Sequence, residues 1–116
     1  MRRFSPRRTL ATLAVGVLLS TPAAVVLAEE SVFELTIRNH RFEPETLTVL
    51  ANTPLKLRVE NTDPTPEEFE SHMLNREKII PGGAKVIIAL DPLEPGSYPF
   101  VGEFNESTAK GVIIAQ

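Results

Sequence analysis

The sequence has no cysteine and no tryptophan among its 116 residues, and Tyr98 is its one tyrosine. Without cysteine the chain can form no disulfide and can offer no thiolate to a metal. Its stability must therefore come from a hydrophobic core. Ten prolines argue against long helices, because proline removes a backbone donor and breaks a helix interior. The composition, 42% hydrophobic and 23% charged, is that of one ordinary globular domain.

The first 28 residues have the three-part pattern of a secretory signal peptide. Four arginines precede an almost wholly apolar run over residues 10–19, and Val26-Leu27-Ala28 forms a cleavage motif before Glu29. The run is short for a membrane span, which needs roughly 20 apolar residues. We therefore expect a cleaved signal at 1–28 and an exported domain at 29–116. An uncleaved N-terminal anchor is the alternative.

The segment from Pro6 to Leu10 resembles a twin-arginine export signal. Two arginines before an apolar run also occur in ordinary secretory signals, so both export routes stay open. Either route predicts a periplasmic protein.

Positive charge is scarce beyond the signal. Four of the twelve basic residues lie in the first 28 residues and none of the fifteen acidic residues does, so residues 29–116 carry a net charge of −7. Such a domain repels nucleic acid, whose binding depends on Lys and Arg at the phosphates. It suits cations or a basic partner surface.

Short alternating segments between turn signals predict an all-β fold. The predicted strands cover residues 33–38, 46–50, 55–60, 69–74, 84–90, 97–101 and 111–115. Asn39 to Arg41, Asn61 to Pro66 and Pro81 to Gly83 are among the predicted turns and loops. Seven or eight strands at about ten-residue spacing indicate an antiparallel Greek-key sandwich or barrel.

Several segments resemble cupredoxin-like domains. Residues 42–49 and 54–63 resemble the first half of such domains, and residues 95–100 and 109–113 resemble their C-terminal ligand hairpin. The sequence is most similar to small periplasmic cupredoxin-like proteins associated with bacterial iron uptake. The resemblance implies a cupredoxin-like sandwich, a role in metal handling, and a membrane iron permease or other uptake component as partner.

The resemblance also shows what this chain has replaced. A type 1 copper centre uses two His, one Cys thiolate and usually a weak axial Met. The family pattern puts the first His at Glu67 or Glu68, the Cys at Gly102, the second His at Asn105 and the Met at Ala109. The sequence therefore excludes a type 1 copper and its rapid electron transfer.

An acidic segment suggests a different metal site. If the segment is extended, Glu68, Glu70 and His72 project to one face, and the hairpin loop brings Glu103 to the same end of the sandwich. Carboxylates with one imidazole suit iron, Cu(II), Zn or Mn, and the thioether of Met73 offers a soft ligand for copper. A solvated charged surface is the simpler alternative.

Three functions therefore compete. The first is an exported protein that binds and handles an iron or copper ion. The second is a metal-free interaction module that docks on a transporter or other periplasmic partner. The third is an enzyme, which we do not expect, because no nucleophile–base pair, phosphate-binding glycine loop or paired catalytic acid is evident.

Overall fold

The structure, a computed structural model, describes residues 2–4, 11–22 and 30–116. The predicted cleavage motif and the segment from Pro6 to Leu10 lie outside the described residues, so the signal peptide stays a prediction. Residues 11–22 are exposed and have no regular secondary structure. Among the described residues no helix is long and apolar enough to cross a membrane.

Residues 31–115 form two packed β-sheets. Their nine strands are β1 (Ser31–Arg38), β2 (Arg41–Glu43), β3 (Thr46–Val49), β4 (Leu55–Asn61), β5 (Glu67–Ser71), β6 (Arg76–Ile80), β7 (Lys85–Leu90), β8 (Gly96–Gly102) and β9 (Lys110–Ala115). One sheet has the order β2-β1-β4-β7 and the other β3-β9-β8-β5-β6. A short 3₁₀ helix, η1 (Glu103–Asn105), follows β8. The predicted β-sandwich is confirmed.

The alternation in the sequence places the core. In β4 the residues Leu55, Leu57 and Val59 are buried, whereas Arg58 between them is exposed. Three rings form the centre of the sandwich: Phe42 lies edge-on to Phe69 and Phe100, with centroids 6.2 and 4.9 Å away. The two latter rings stack at 5.1 Å. Each sheet therefore packs one face against the core and exposes the other to solvent, which explains why apolar and polar residues alternate along its strands.

The structure corrects the predicted strand pairing. The sheets are mixed, because β1 runs parallel to β4 and β3 runs parallel to β9. Parallel neighbours need a crossover connection, and the intervening chain supplies it by passing through the opposite sheet. A strand pattern alone carries no information on direction, so this arrangement was not predicted.

The structure also adds two strands, β2 and β6, to the seven predicted ranges. β2 is only three residues long and follows a turn in which Asn39 and His40 have positive φ. β6 begins with Arg76-Glu77-Lys78, a charged edge segment without apolar alternation. β5 covers Glu67 to Ser71, whereas the predicted strand covered residues 69–74. Leu74 lies in the turn after β5, and its side chain is buried.

Asp63 fastens the turn between β1 and β2 to the end of β4. Its Oδ1 accepts the Asn39 N–H at 2.8 Å and its Oδ2 accepts the His40 N–H at 2.9 Å. The hydrogen bond from the His40 N–H is the main reason that the pKa of Asp63 lies below its usual value, with smaller contributions from the Asn39 N–H and from the charges of His40 and Arg38; burial opposes them. Asp63 therefore favours the folded state when ionised.

This contact predicts a loss of stability in acid. A lowered folded-state pKa gives stability that is present above the usual value of 3.8 and is lost as pH falls through the folded pKa. Asp63→Asn should lower the free energy of unfolding at pH 7 by about 1–3 kcal/mol and flatten the acid limb. Denaturant unfolding between pH 2 and 7 checks this. The exposed Asp91→Asn is the control, and an unchanged acid limb in Asp63→Asn would contradict the assignment.

Candidate metal centre

β5 presents different carboxylates to its two faces. Glu67, Phe69 and Ser71 are buried, whereas Glu68 and Glu70 lie half-buried on the outer face of the five-stranded sheet. In the pairing with β6, Glu70 lies directly opposite Glu77. Two carboxylates thus stand side by side across the strands, where like charges destabilise each other.

Three carboxylates from three elements meet on this outer face. Ligand oxygens of Glu68 on β5, Glu77 on β6 and Glu103 on η1 all lie within 4.8 Å of one another. We call these three residues the acidic cluster. Within residues 30–116 none of the three forms an ion pair with a Lys or Arg side chain within 4.0 Å. The cluster therefore combines convergent oxygen ligands with uncompensated negative charge.

This crowding raises the pKa values of carboxyl groups in and beside the cluster. The pKa of Glu68 rises from 4.5 to about 7, chiefly through a shared hydrogen bond with Glu77, then through burial and repulsion from Glu103. The pKa of the adjacent Glu70 is also raised, chiefly by a hydrogen bond with Glu103. Both shifts have the same main origin, since carboxyl groups held close together ionise less readily.

The structure brings together some of the predicted ligands and not others. Glu68, Glu70 and Glu103 are neighbours, as predicted. β5 ends before His72, whose side chain is 97% exposed and reaches Glu70 with Nε2 3.5 Å from Oε1. Met73 follows in the same turn and is 62% exposed. The imidazole thus lies at the margin of the cluster rather than on the predicted strand face.

A shallow pocket of about 320 Å³ lies beside the cluster. Its lining residues are Glu70, Ser71, His72, Asn75, Arg76 and Glu77. Glu77 is not among the predicted metal ligands, because β6 was not predicted. An edge strand made of alternating charges gives no apolar period, so only the observed register shows Glu77 opposite Glu70.

A second carboxylate site lies inside the end of the sandwich. Glu67 is 1% exposed. Its Oε1 accepts the Phe104 N–H at 2.9 Å and the Glu68 N–H at 3.0 Å, and its Oε2 accepts Asn105 Nδ2–H at 2.7 Å. Burial of a carboxylate is costly unless donors replace its water, and here three donors do so.

The positions that the resemblance assigned to copper ligands converge at this carboxylate. A Cβ atom added at Gly102 would lie 2.6 Å from Cδ of Glu67 and 2.6 Å from Cβ of Ala109. The Ala109 N–H donates to the Asn105 carbonyl at 2.8 Å, which closes the loop. No thiolate or imidazole lies among the four positions, and the carboxyl group of Glu67 fills the space. These residues do not fit a type 1 copper.

Comparison with known proteins places the chain in a family. The family model described as a cupredoxin-like domain matches residues 9–115. An uncharacterized protein of Rickettsia prowazekii (strain Madrid E) is 44% identical over 81 residues, which are 70% of this chain. The match spans 65% of that relative's length.

Solved structures share the fold at low sequence identity. Auracyanin A, a "blue" copper protein from Chloroflexus aurantiacus, is 11% identical with a TM-score of 0.65, covering 76% of this chain and 100% of its own. The metal-binding domain of the Cu(I)-exporting P-type ATPase of Streptococcus pneumoniae D39 is 14% identical with a TM-score of 0.62, covering 78% and 98%. At these identities the likeness concerns the fold.

The crowded carboxylates predict an alkaline loss of stability in metal-free protein. Because the folded pKa of Glu68 is raised, its contribution is fully present below about pH 4.5 and is lost as pH rises through about 7. Glu77→Gln should reduce this slope, since it removes the main cause of the shift.

Chemical unfolding in the presence of chelator, from pH 4 to 9, measures the slope. Glu94→Gln replaces an exposed carboxylate elsewhere and should leave the slope unchanged. Equal slopes in wild type and Glu77→Gln would show that these carboxylates do not interact.

Proposed function

The chain belongs to the cupredoxin-like domain family, and on that premise we propose that it is an exported metal-handling protein of the periplasm. It binds an iron or copper ion at the acidic cluster and serves metal uptake. The main support is geometric: ligand oxygens of Glu68, Glu77 and Glu103 lie within 4.8 Å of one another on the surface.

The four-stranded sheet has a different distribution of charge, which supports the proposed metal site. On the outer face of the four-stranded sheet, acidic and basic side chains are paired. The pairs are Glu30–Lys56, Glu34–Arg58, Glu60–Lys85 and Glu43–Arg38. Negative charge is therefore compensated on one sheet and concentrated on the other. A surface that only needed solubility has no reason to gather carboxylates at one point, where they repel one another.

The donor set favours a hard cation. Carboxylate oxygens suit ferric and ferrous iron and Mn, whereas Cu(I) prefers thiolate and thioether sulfur. His72 near Glu70 would extend the set towards Cu(II) or Zn, and Met73 is the one sulfur in the same turn. Iron is therefore the first candidate. Copper is the second, because proteins of similar fold are described as copper proteins.

An exposed site fits transfer rather than storage. The cluster opens to solvent on the outer face of the sheet, so a bound ion could pass to a partner without unfolding of the domain. A membrane iron permease or another periplasmic uptake component is the expected partner, and its contact surface should be basic to match this face.

The second candidate function is a metal-free interaction module. Three apolar side chains with more than half of their surface exposed lie on or beside the acid-bearing elements: Met73, Ile79 and Phe104. Ile79 is opposite Glu68 on the outer face. Apolar residues within a charged patch are typical of protein–protein contacts. This function predicts salt-dependent binding to a basic partner with no requirement for metal.

The metal proposal predicts stabilisation by one class of cation. At a free concentration of about 100 times the dissociation constant, a ligand of the folded state adds about 2.7 kcal/mol. This raises Tm of a domain of this size by about 10 °C or more. We expect the rise with iron, in thermal unfolding of the purified chain with Fe(II), Fe(III), Cu(II), Zn(II) and Mn(II).

Variants separate the site from general ion effects. Glu77→Gln and Glu103→Gln should abolish most of the rise, whereas the matched Glu94→Gln should retain it. His72→Ala should matter for Cu(II) and Zn(II) more than for iron. If no cation raises Tm, the cluster is not a metal site and the metal-free interaction module is favoured. If the rise persists in the double variant Glu77→Gln/Glu103→Gln, the cation binds elsewhere and the cluster is not its site.

A further inference from the structure

The buried carboxylate of Glu67 connects β5 and η1, two of the three elements that carry the acidic cluster. Its Oε1 receives N–H groups from Glu68 on β5 and from Phe104 on η1, and its Oε2 receives the amide of Asn105. Phe104 and Asn105 directly follow Glu103 in the chain. One side chain therefore fixes the backbone beside two of the three residues in the cluster.

This connection lies among the positions that the resemblance assigned to the copper ligands of the family. Gly102 has no room for any side chain while Glu67 keeps its place, since an added Cβ would lie 2.9 Å from Oε1 and 2.6 Å from Cδ. Glu67 and Gly102 therefore depend on each other. The carboxylate of Glu67 can occupy this space because residue 102 has no side chain, and a cysteine at 102 would fit only if the carboxylate were removed.

Among the described residues no buried side-chain nitrogen or oxygen lacks a hydrogen-bond partner. The interior end of the sandwich is therefore complete without an ion. It offers no unpaired buried ligand that would draw a metal from solvent.

We propose that Glu67 and Asn105 form a metal-free clasp that takes over, in this domain, the structural tie of a metal centre between β5 and the loop after β8. The clasp excludes metal from the interior and positions Glu103 against Glu68 on the surface. Glu67 is a positioning residue and contacts no bound ion. The clasp itself is independent of the proposed function; only its effect on cation binding rests on that function.

A charge exchange between the two partners tests the clasp. Asn105→Asp places a second carboxylate where an amide N–H now donates at 2.7 Å, so at pH 8 it should lower Tm by more than about 10 °C. Glu67→Gln in the same chain restores a donor opposite the new carboxylate, and the double variant should recover most of that loss. Glu67→Gln alone should cost less than Asn105→Asp, since the amide of Asn105 can turn to accept.

The control for an added negative charge is Asn52→Asp, at an exposed turn residue. It should change Tm little, and Glu67→Gln should not compensate it. The clasp is refuted if Asn105→Asp is as mild as Asn52→Asp, or if Glu67→Gln fails to rescue Asn105→Asp. A structural role without partner-specific contact would produce additive losses rather than rescue.

Metal titration then separates the interior from the surface. In Glu77→Gln/Glu103→Gln the surface cluster is disabled, and we expect no cation to raise Tm. A rise that is lost on adding Glu67→Gln would make the interior a metal site and overturn the proposal. In wild-type protein that binds a cation, Asn105→Asp should weaken binding at least about tenfold and the rescued double variant should regain it.

Different experimental results would refute the proposed metal binding and the proposed clasp. Wild-type protein that binds no cation refutes the proposed function but leaves the exchange between positions 67 and 105 fully informative. Cation binding that is unaffected by Asn105→Asp, although the domain is destabilised, limits the clasp to stability and refutes its positioning role.

Discussion

The burial of one carboxylate constrains the end of the sandwich at the loop after β8. Glu67 lies on the core side of β5, where an ionised group is tolerated only if donors replace its water. The backbone N–H groups of Glu68 and Phe104 and the side chain of Asn105 supply those donors. Gly102 supplies the space, because a Cβ atom added there would lie 2.6 Å from Cδ of Glu67 and 2.6 Å from Cβ of Ala109. A single polar group thus determines the side chains that its neighbours can carry.

The same constraint reaches the surface. Because β-strand residues alternate between faces, an inward Glu67 requires an outward Glu68, and the tie to Phe104 holds Glu103 near it. β6 adds Glu77 through its register with Glu70. Two kinds of carboxylate site result, one dry and saturated with hydrogen bonds, the other exposed and rich in uncompensated charge. Only the exposed site has the unsatisfied charge that attracts a cation, which is why the proposed function is placed there.

Much of the fold could be predicted from the sequence because it depends on alternation. β4 can be recognised from the alternation of Leu55, Leu57 and Val59 alone. In β5 the same alternation correctly predicts that Glu68 and Glu70 point outward when Phe69 packs in the core. Strand direction and the charged strand β6 have no such period, so the parallel pairs and Glu77 could not be predicted. The resemblance left Glu67 and Glu68 as alternatives for the position of the first copper-ligating His. Neighbouring strand residues point to opposite faces, and the structure shows that the buried Glu67 is the one beside Gly102.

Amide hydrogen exchange measures whether the loop after β8 is ordered in the absence of metal. In chelator-treated protein the Phe104 N–H should exchange at least about tenfold more slowly than the N–H of Glu106 in the same loop, because Glu67 holds it. Asn105→Asp should remove this protection. Rapid exchange of the Phe104 N–H in metal-free protein, with protection only after a metal is added, would show that a metal ion and not Glu67 orders this loop.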